Sequence, residues 1–324
     1  PSATTLPFRL VFTALLLLAG GYDAASAQGP GASRTPPPQR LALTTKDGVQ
    51  LGITYYPSTA GQQAVPVILL HDFNETQAVF EPLAQMLQTP PPELLELLPK
   101  GPAPLPRAVV TVDLRGHGES KTALAPDGGP VELDANRFGP EDFQDMVLFD
   151  LEAVRGFLVA QNDAGMLNLN KLCLVGAGMG ASVALNYAAR DWAIPPLAAR
   201  KQGQDVKALA LISPRRNFRG LTSAEPLKFP PVQSQLSIHI SYGSDDPKAA
   251  KDAEAMAKVF ERYHPQPASE DLAASEDFFV FAPATPRQGS DLLTAPGFEL
   301  APRIAVFIEK RLGRHDFPYI VRKQ

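Results

Sequence analysis

The sequence predicts an α/β fold, in which helices cover both faces of a mostly parallel central sheet and an antiparallel hairpin comes first. From residue 65 onward, short apolar runs alternate with helical stretches, as is typical of parallel strands joined by crossing helices. Asp47-Gly48 lies between two strand-like segments within residues 41–56, and this dipeptide favours a type I′ hairpin turn. The chain has 324 residues, 44% of them hydrophobic, which is enough for one large domain.

The strands of the predicted sheet are six apolar runs, each short enough to cross a sheet once. They cover residues 65–70, 108–114, 171–175, 206–213, 236–242 and 277–281. Three stretches carry apolar residues at helical spacing and are predicted as helices that cover the sheet. They are residues 144–159, 248–263 and 301–312, the first with Val147, Leu151, Val154 and Leu158 on one face.

Two stretches interrupt this alternation. Residues 89–107 contain three consecutive prolines, which favours a solvated polyproline-like loop; a rim or partner-binding segment is the alternative. Residues 215–235 follow a predicted strand and are long enough for a small lid, but too short for a large cap domain.

The N-terminus has the pattern of a secretory signal. Arg9 precedes an apolar stretch over residues 10–21, and Ala25-Ser26-Ala27 fits a cleavage site. The apolar stretch, about a dozen residues, is too short to span a bilayer, although an uncleaved anchor is the alternative. We therefore predict a signal peptide over residues 1–27, a flexible lead-in over 28–40, a folded domain over 41–313 and a C-terminal tail over 314–324.

Charge and cysteine content exclude several classes of function. The net charge of −4 and the pI near 5.8 leave no basic field for nucleic acid or an anionic membrane. The single cysteine, Cys173, lies inside an apolar strand and is predicted to be a buried small hydrophobe, so no intramolecular disulfide can form. Export without disulfides favours a bacterial periplasm or exterior. No motif calls for a metal or a cofactor in the leading hypothesis.

Four motifs occur in a fixed order, and together they are stronger evidence than any one of them. Each lies at the end of a predicted strand or directly after it. They are Leu69-Leu70-His71-Asp72-Phe73, Asp113-Leu114-Arg115-Gly116-His117-Gly118-Glu119-Ser120, Gly176-Ala177-Gly178-Met179-Gly180 and Tyr242-Gly243-Ser244-Asp245-Asp246-Pro247.

This series resembles the α/β-hydrolase superfamily, particularly its esterase, monoacylglycerol-lipase and serine-aminopeptidase-like branch. The resemblance covers about residues 41–313 and implies the α/β-hydrolase fold. It also implies that the turn after residues 171–175 is the nucleophile elbow, in which a Gly-x-Ser-x-Gly turn lifts a serine above the sheet. The nucleophile position of this chain is Gly178.

The resemblance assigns the rest of the site position by position. The oxyanion N–H groups map onto Phe73 and Met179, and the triad acid maps onto Asp246, with Asp245 as the alternative. The triad histidine maps onto Gln288, whose amide could hydrogen-bond the acid but does not titrate near neutral pH. Asp72 replaces the glycine usual in the family, and a carboxylate beside the oxyanion site disfavours developing negative charge.

The remaining candidate groups are predicted to be structural. His71 and His117 lie in turns where the family also carries histidine, and the other histidines fall within a strand or after a helix. Those three are His239, His264 and His315. Ser182, one helical turn beyond Gly178, and Ser290 are weak candidates for a displaced nucleophile.

A second interpretation comes from a different class of protein. Gly176-x-Gly178-x-x-Ala181 after a strand also satisfies the dinucleotide fingerprint Gly-x-Gly-x-x-Gly/Ala. Arg215 and Arg216 follow the next strand and could meet the 2′-phosphate of NADP.

Our leading hypothesis is an exported α/β-hydrolase-fold protein that has lost its serine and histidine and binds a small acyl-type ligand or a protein partner in the former cleft. The alternatives are an active ester or amide hydrolase with an unusual nucleophile or water, and an NADP-binding protein.

Overall fold

The computed structural model describes residues 35–98, 100–125, 127–197, 200–265 and 276–322. The predicted signal peptide and the lead-in up to residue 34 lie outside the described residues. The strands in the described part are β1 (Gln39–Thr44), β2 (Val49–Tyr56), β3 (Pro66–Leu70), β4 (Ala108–Val112), β5 (Thr122–Leu124), β6 (Pro130–Glu132), β7 (Leu172–Ala177), β8 (Val206–Ile212), β9 (Asn217–Phe218), β10 (Leu221–Thr222), β11 (Ser237–Ser241) and β12 (Phe278–Phe281).

The helices of the described part fall mainly between the parallel strands. The α-helices are α1 (Glu81–Gln88), α2 (Pro140–Asp145), α3 (Leu151–Asp163), α4 (Met179–Ala193), α5 (Pro230–Ser234), α6 (Pro247–Glu261), α7 (Gly289–Thr294) and α8 (Leu300–Ile308). A π-helical turn, Met146–Asp150, joins α2 to α3, and another, Glu309–Gly313, extends α8. Short 3-10 helices cover Gly61–Gln63, Gln77–Phe80, Pro92–Leu97, Ala135–Arg137, Leu169–Lys171 and Pro226–Lys228.

The central sheet is mostly parallel, as predicted. Its order is β12-β11-β8-β7-β3-β4-β2-β5-β6, and β1 also pairs with β2. The six strands from β12 to β4 run parallel, whereas β2 is antiparallel to β4, β1 and β5. Each of the six predicted strands is present, with ends displaced by at most two residues. The carboxyl ends of β3, β7, β8 and β11 therefore lie side by side at one edge of the sheet.

The predicted hairpin forms, but its turn differs from the predicted type. Gly48 has a positive φ of 91°, whereas Asp47 does not lie in the left-handed region that a type I′ turn requires. Instead, the N–H of Gly48 donates to the carbonyl of Thr45, so Lys46 and Asp47 occupy the turn and Gly48 follows it. This arrangement, a turn closed by one left-handed glycine, also matches the twist of the paired strands.

Two apolar layers cover the sheet, because alternate strand residues point to opposite faces. Ile68 and Leu70 pack with helices α2, α3, α4 and α6 on one face. Val67 and Leu69 pack with α1 and α8 on the other. Helices on both faces confirm the predicted α/β architecture and hold the strand ends in fixed positions.

The two predicted excursions contain little regular structure. Residues 89–107 include only the short helix Pro92–Leu97, and residues 215–235 form the β9–β10 hairpin, a 3-10 turn and α5. Across the described ranges, we find no helix that combines the length and the apolar character needed to cross a membrane.

Candidate functional site

A sharp turn at Gly178 connects β7 to α4. Gly178 has φ 48° and ψ −106°, a backbone conformation that residues with a Cβ adopt only under strain, and its N–H donates to Ile212 O at 2.9 Å. A Cβ on Gly180 would lie 2.2 Å from Leu70 O, so only glycine allows α4 to start this close to β3. The strand, turn and helix of a nucleophile elbow are therefore all present, without a side chain at its apex.

The carboxylate of Asp72 accepts hydrogen bonds from both N–H groups that sequence reasoning assigned to the oxyanion hole. Its Oδ1 lies 2.7 Å from Phe73 N and 2.7 Å from Met179 N. Two converging backbone donors at a helix N-terminus are the arrangement that stabilises an oxyanion in acyl transfer. Here a side chain of the same chain fills that position.

Asp72 also fills the space that a side chain at position 178 would need. An ideal Cβ on Gly178 would lie 1.9–2.2 Å from the three carboxyl atoms of Asp72. The second oxygen, Oδ2, pairs with Arg215 Nη2 at 3.3 Å, and the Asp72 side chain is only 16% exposed. The charge of Asp72 is thus balanced by backbone dipoles on one oxygen and a guanidinium on the other.

Neighbouring groups fix the loop that carries Asp72. His71 Nε2 accepts from Leu114 N, so its Nδ1 carries the proton and donates to Asp72 O at 2.7 Å. Burial lowers the pKa of His71 to about 4, which keeps the ring neutral. Glu75 accepts hydrogen bonds from Asp72 N and Ser290 Oγ, and burial raises the pKa of its carboxyl although both bonds act in the opposite direction.

The residue at the acid position, Asp246, serves as a helix cap. Its Oδ1 accepts from Lys248 N at 3.0 Å and from Ala249 N at 3.1 Å, at the start of α6. Asp245 is exposed, and its N–H donates to Thr285 O. Neither carboxylate is hydrogen-bonded to Gln288 among the described residues.

Gln288, at the position of the triad histidine, is held by other partners. Its Nε2 donates to Gly243 O at 2.7 Å, and its Oε1 accepts from Ser213 Oγ at 2.7 Å and from Gly243 N at 3.3 Å. The expected hydrogen bond from Gln288 to Asp246 is replaced by these contacts. Ser213 Oγ also accepts from Gly289 N, so this network joins the ends of β8 and β11 to α7.

Four of the other candidate groups have structural surroundings. His117 Nδ1 lies 3.0 Å from Arg115 O, and His264 Nδ1 lies 2.8 Å from Asp277 Oδ1. Ser182 is buried within α4, and the hydroxyl of Ser290 is bonded to Glu75. Across the described residues, no group of three or more His, Cys, Asp or Glu side chains is placed to hold a metal ion.

The dinucleotide interpretation requires a free helix N-terminus, because that is where a pyrophosphate would bind. The N–H of Met179, at the start of α4, donates instead to Asp72, and Arg215 is paired with the same carboxylate. The position that a pyrophosphate would need is therefore already occupied by the Asp72 carboxylate, which disfavours dinucleotide binding at this turn.

The sequence profile of the alpha/beta hydrolase family matches residues 67–321. The chain belongs to the alpha/beta hydrolase family. No curated protein matches the sequence significantly. Among solved structures, this alpha/beta hydrolase is similar to an esterase from Pyrococcus furiosus, with 14% identity, a TM-score of 0.53 and coverage of 85% of this chain and 93% of the other.

Two further solved structures share the fold of this alpha/beta hydrolase. The esterase domain of a Rhodothermus marinus protein has 11% identity and a TM-score of 0.51, covering 86% of this chain and 100% of the other. A Pyrobaculum calidifontis esterase has 14% identity and a TM-score of 0.50, covering 85% and 86% respectively. At these identities the likeness extends to the fold alone.

Sequence reasoning missed three members of this site: Arg215 as the partner of Asp72, Glu75, and Ser213. The sequence predicts Arg215 only as a candidate for binding the 2′-phosphate of NADP. Asp72 itself was recognised as a departure from the family, but its contact with Met179 joins residues 107 positions apart. The sequence held one signal for this contact: it has an acidic residue at 72 and, at the same time, a glycine at 178.

Proposed function

We propose that this chain is a catalytically inactive alpha/beta hydrolase that binds a ligand or partner instead of cleaving an acyl bond. The observation that carries the proposal is the Asp72 carboxylate, which is bonded to both oxyanion donors and fills the volume of the nucleophile. A substrate carbonyl would have to displace an anion from those two N–H groups before it could be polarised.

The substitutions at the two reacting positions support the same conclusion. Gly178 provides no nucleophile, and Gln288 provides no base, because a neutral amide does not take up a proton near pH 7. Asp72 fits only because position 178 lacks a Cβ. Asp72 and Gly178 are sterically compatible with each other, whereas Asp72 and a serine at 178 are not, so the pair supports a stable, non-catalytic arrangement.

Binding is the role that the surroundings of the elbow favour. Arg219 stacks over Phe73 with its guanidinium carbon 4.1 Å from the ring centre, and Arg215 stacks over Phe218 at 5.3 Å. Held in this way, the two cations lie beside the elbow, where Phe73 and Asp72 are. They suit a small acyl-type ligand or a partner surface that presents an acidic group.

Turnover of short and medium p-nitrophenyl acyl esters tests the proposal. The unmodified chain should give no rate above that of its Asp246→Ala variant. The double variant Gly178→Ser, Gln288→His should also be inactive, because Asp72 obstructs the new serine. Adding Asp72→Gly should free both N–H groups and yield measurable hydrolysis if the remaining scaffold is competent.

Each result bears on a different alternative. A rate in the unmodified chain that Asp246→Ala abolishes would replace our proposal with an active hydrolase that uses an unusual nucleophile or an activated water. Activity in the double variant without Asp72→Gly would contradict the proposed obstruction. Thermal unfolding of every variant provides the control for folding.

We further propose that the protein is exported, on the basis of the N-terminal pattern of Arg9, the apolar stretch and Ala25-Ser26-Ala27. Expression of the chain with its N-terminus intact in a Gram-negative host, followed by cell fractionation and N-terminal sequencing, tests this. A periplasmic product beginning near Gln28 is expected. An uncleaved product retained in the membrane fraction would indicate an anchor instead.

A further inference from the structure

A cavity of about 310 Å³ lies between β12 and α8, on the opposite face of the sheet from α4. Its walls are apolar: Phe279 and Phe281 come from β12, and Val306 and Phe307 come from α8. The volume is at the lower end of the range for small-molecule sites, which are mostly apolar with a few polar groups. Neither Asp72, Gly178 nor Gln288 lines this cavity, so it is separate from the elbow.

His239 is a buried polar residue that lines the cavity. It lies in β11 with its ring 5.6 Å from that of Phe307, and it is only 4% exposed. Its Nδ1 is buried without a hydrogen-bond partner in the described part of the chain. Burial lowers the pKa of His239 to about 4, with the charge of Arg303 acting in the same direction, so the ring is neutral. Buried polar atoms are nearly always hydrogen-bonded, so this ring, which lines the cavity, has hydrogen-bonding capacity that the described residues leave unused.

Two cations lie on the same walls. Arg303 stacks over Phe281 at 4.3 Å, and Lys310 lies 5.6 Å from the ring centre of Phe279. Within the described ranges neither side chain forms an ion pair with a carboxylate. Glu299 also lines the cavity, which leaves one net positive charge around an apolar space.

We propose that this cavity binds a small monocarboxylic acid with an aromatic or short aliphatic body. The phenylalanine and valine walls bury the apolar body, while His239 and Arg303 hold the carboxylate by a hydrogen bond and an ion pair. Both cations are already stacked on rings, so little side-chain freedom is lost on binding. The inference goes beyond the proposed function, because the elbow takes no part in it and either can fail alone.

Calorimetric titration of the chain from Gln28 with phenylacetate and with octanoate tests the proposal. Both acids should bind, and phenylacetamide, which has the same shape without the charge, should bind at least about tenfold more weakly. Arg303→Gln should weaken binding of phenylacetate by about tenfold or more, and Arg303→Lys should restore part of it. Arg262→Gln, at an exposed arginine away from the cavity, should leave binding unchanged.

His239→Leu separates a binding role from a packing role. Leucine fills a similar volume without an unpartnered nitrogen, so this variant should keep or raise the unfolding temperature while losing affinity for phenylacetate. The proposal is overturned if neither acid gives a binding isotherm, if phenylacetamide binds as tightly as phenylacetate, or if Arg303→Gln and His239→Leu both keep full affinity.

Discussion

The Asp72 carboxylate occupies the space that a side chain at position 178 would need, so the two positions constrain each other's substitutions. A serine at 178 would place its Cβ within 2.2 Å of the Asp72 carboxyl atoms. It would also bring a Cβ into a backbone conformation that costs about 1–3 kcal/mol. Restoring the nucleophile alone should therefore destabilise the elbow. Removing the carboxylate first is the step that opens the site.

We predict that Asp72→Ala lowers the free energy of unfolding by about 2 kcal/mol, because Phe73 N and Met179 N lose their acceptor at a helix N-terminus. The vacated position should then accept an external carboxylate. Acetate at about 100 mM should raise the unfolding temperature of Asp72→Ala above that in chloride of equal ionic strength, by mass action on the folded state. The unmodified chain should show no such difference between the two salts.

Asp246→Ala is the matched control for this experiment. Asp246 also accepts two backbone N–H groups at a helix N-terminus, but those groups are less enclosed and water can replace the carboxylate. Its loss should lower the free energy of unfolding by about 1 kcal/mol, without rescue by acetate. If acetate stabilised both variants equally, the carboxylate effect would not be specific to the elbow.

Several site residues were predictable from sequence because their positions depend on local backbone structure. The elbow glycines and the positions of Phe73 and Met179 follow from a strand, a tight turn and a helix in order. The capping role of Asp246 also had a local signal, since an aspartate followed by proline is typical of a helix start. By contrast, the partners of Gln288 lie on β8 and β11, and their choice depends on how strand ends meet in space.

At the scale of elements, the parallel strands were predictable and the short antiparallel ones were not. β3 and β7 are continuous apolar runs, and β4 and β8 each contain one polar residue, because both faces of the sheet are covered. β5 and β6 have three residues each and are largely exposed, so neither carries an alternating pattern. β5 is a strand because Thr122 and Ala123 pair with Gln50 and Val49 of β2. β6 is a strand because it pairs with β5.

The last described segment, within the predicted C-terminal tail, is hydrogen-bonded to the end of α3 and to the loop between α3 and β7. Asn168 Nδ2 donates to Phe317 O, Asn170 Nδ2 to Pro318 O and Asn162 Nδ2 to Ile320 O. Beyond them, Arg322 Nη1 lies 2.7 Å from Asp205 Oδ1, with both side chains buried. The segment therefore contributes a cation to the interior.

We predict that Arg322→Met lowers the free energy of unfolding by about 2 kcal/mol. Removing one partner of a buried ion pair leaves the other charge less well compensated. The remaining partners, Arg155 at 2.7 Å and Lys201 at 3.9 Å from Asp205, moderate the loss. Urea unfolding measures the change. Arg137→Met removes an arginine that is 88% exposed and paired with Asp134, and it should change the free energy by less than about 0.5 kcal/mol. Equal effects of the two substitutions would contradict the structural role of Arg322.

At the scale of the whole molecule, the alpha/beta hydrolase fold is present, with Asp72, Gly178 and Gln288 at three positions of the elbow site. The sheet order, both helix layers and the elbow are those of an alpha/beta hydrolase, and the family match extends over residues 67–321. The substitutions at 72, 178 and 288 lie at the ends of strands that the intact sheet holds in place. Because Asp72 and Gln288 add hydrogen bonds within the site, the loss of catalysis that we propose is physically compatible with retention of the fold.

The reactivity of Cys173 reports whether the domain unfolds cooperatively. It lies in β7 between β3 and β8, paired in register with Val67 and Ala208, and it is fully buried. Burial raises the pKa of its thiol, so the folded protein presents neither access nor thiolate to a reagent. A central strand of a sheet covered on both faces is exposed only when most of the domain opens.

We therefore predict that Ellman's reagent labels the native chain slowly, at a rate proportional to the unfolded fraction, and labels it at once in denaturant. Asp72→Ala and Arg322→Met, each expected to cost about 2 kcal/mol, should both accelerate labelling by about thirtyfold, although they lie on different elements. Cys173→Ala supplies the blank. Rapid labelling of the native chain, unaffected by either substitution, would instead mean that β7 opens locally, and that the sheet around the elbow does not unfold cooperatively with the rest of the domain.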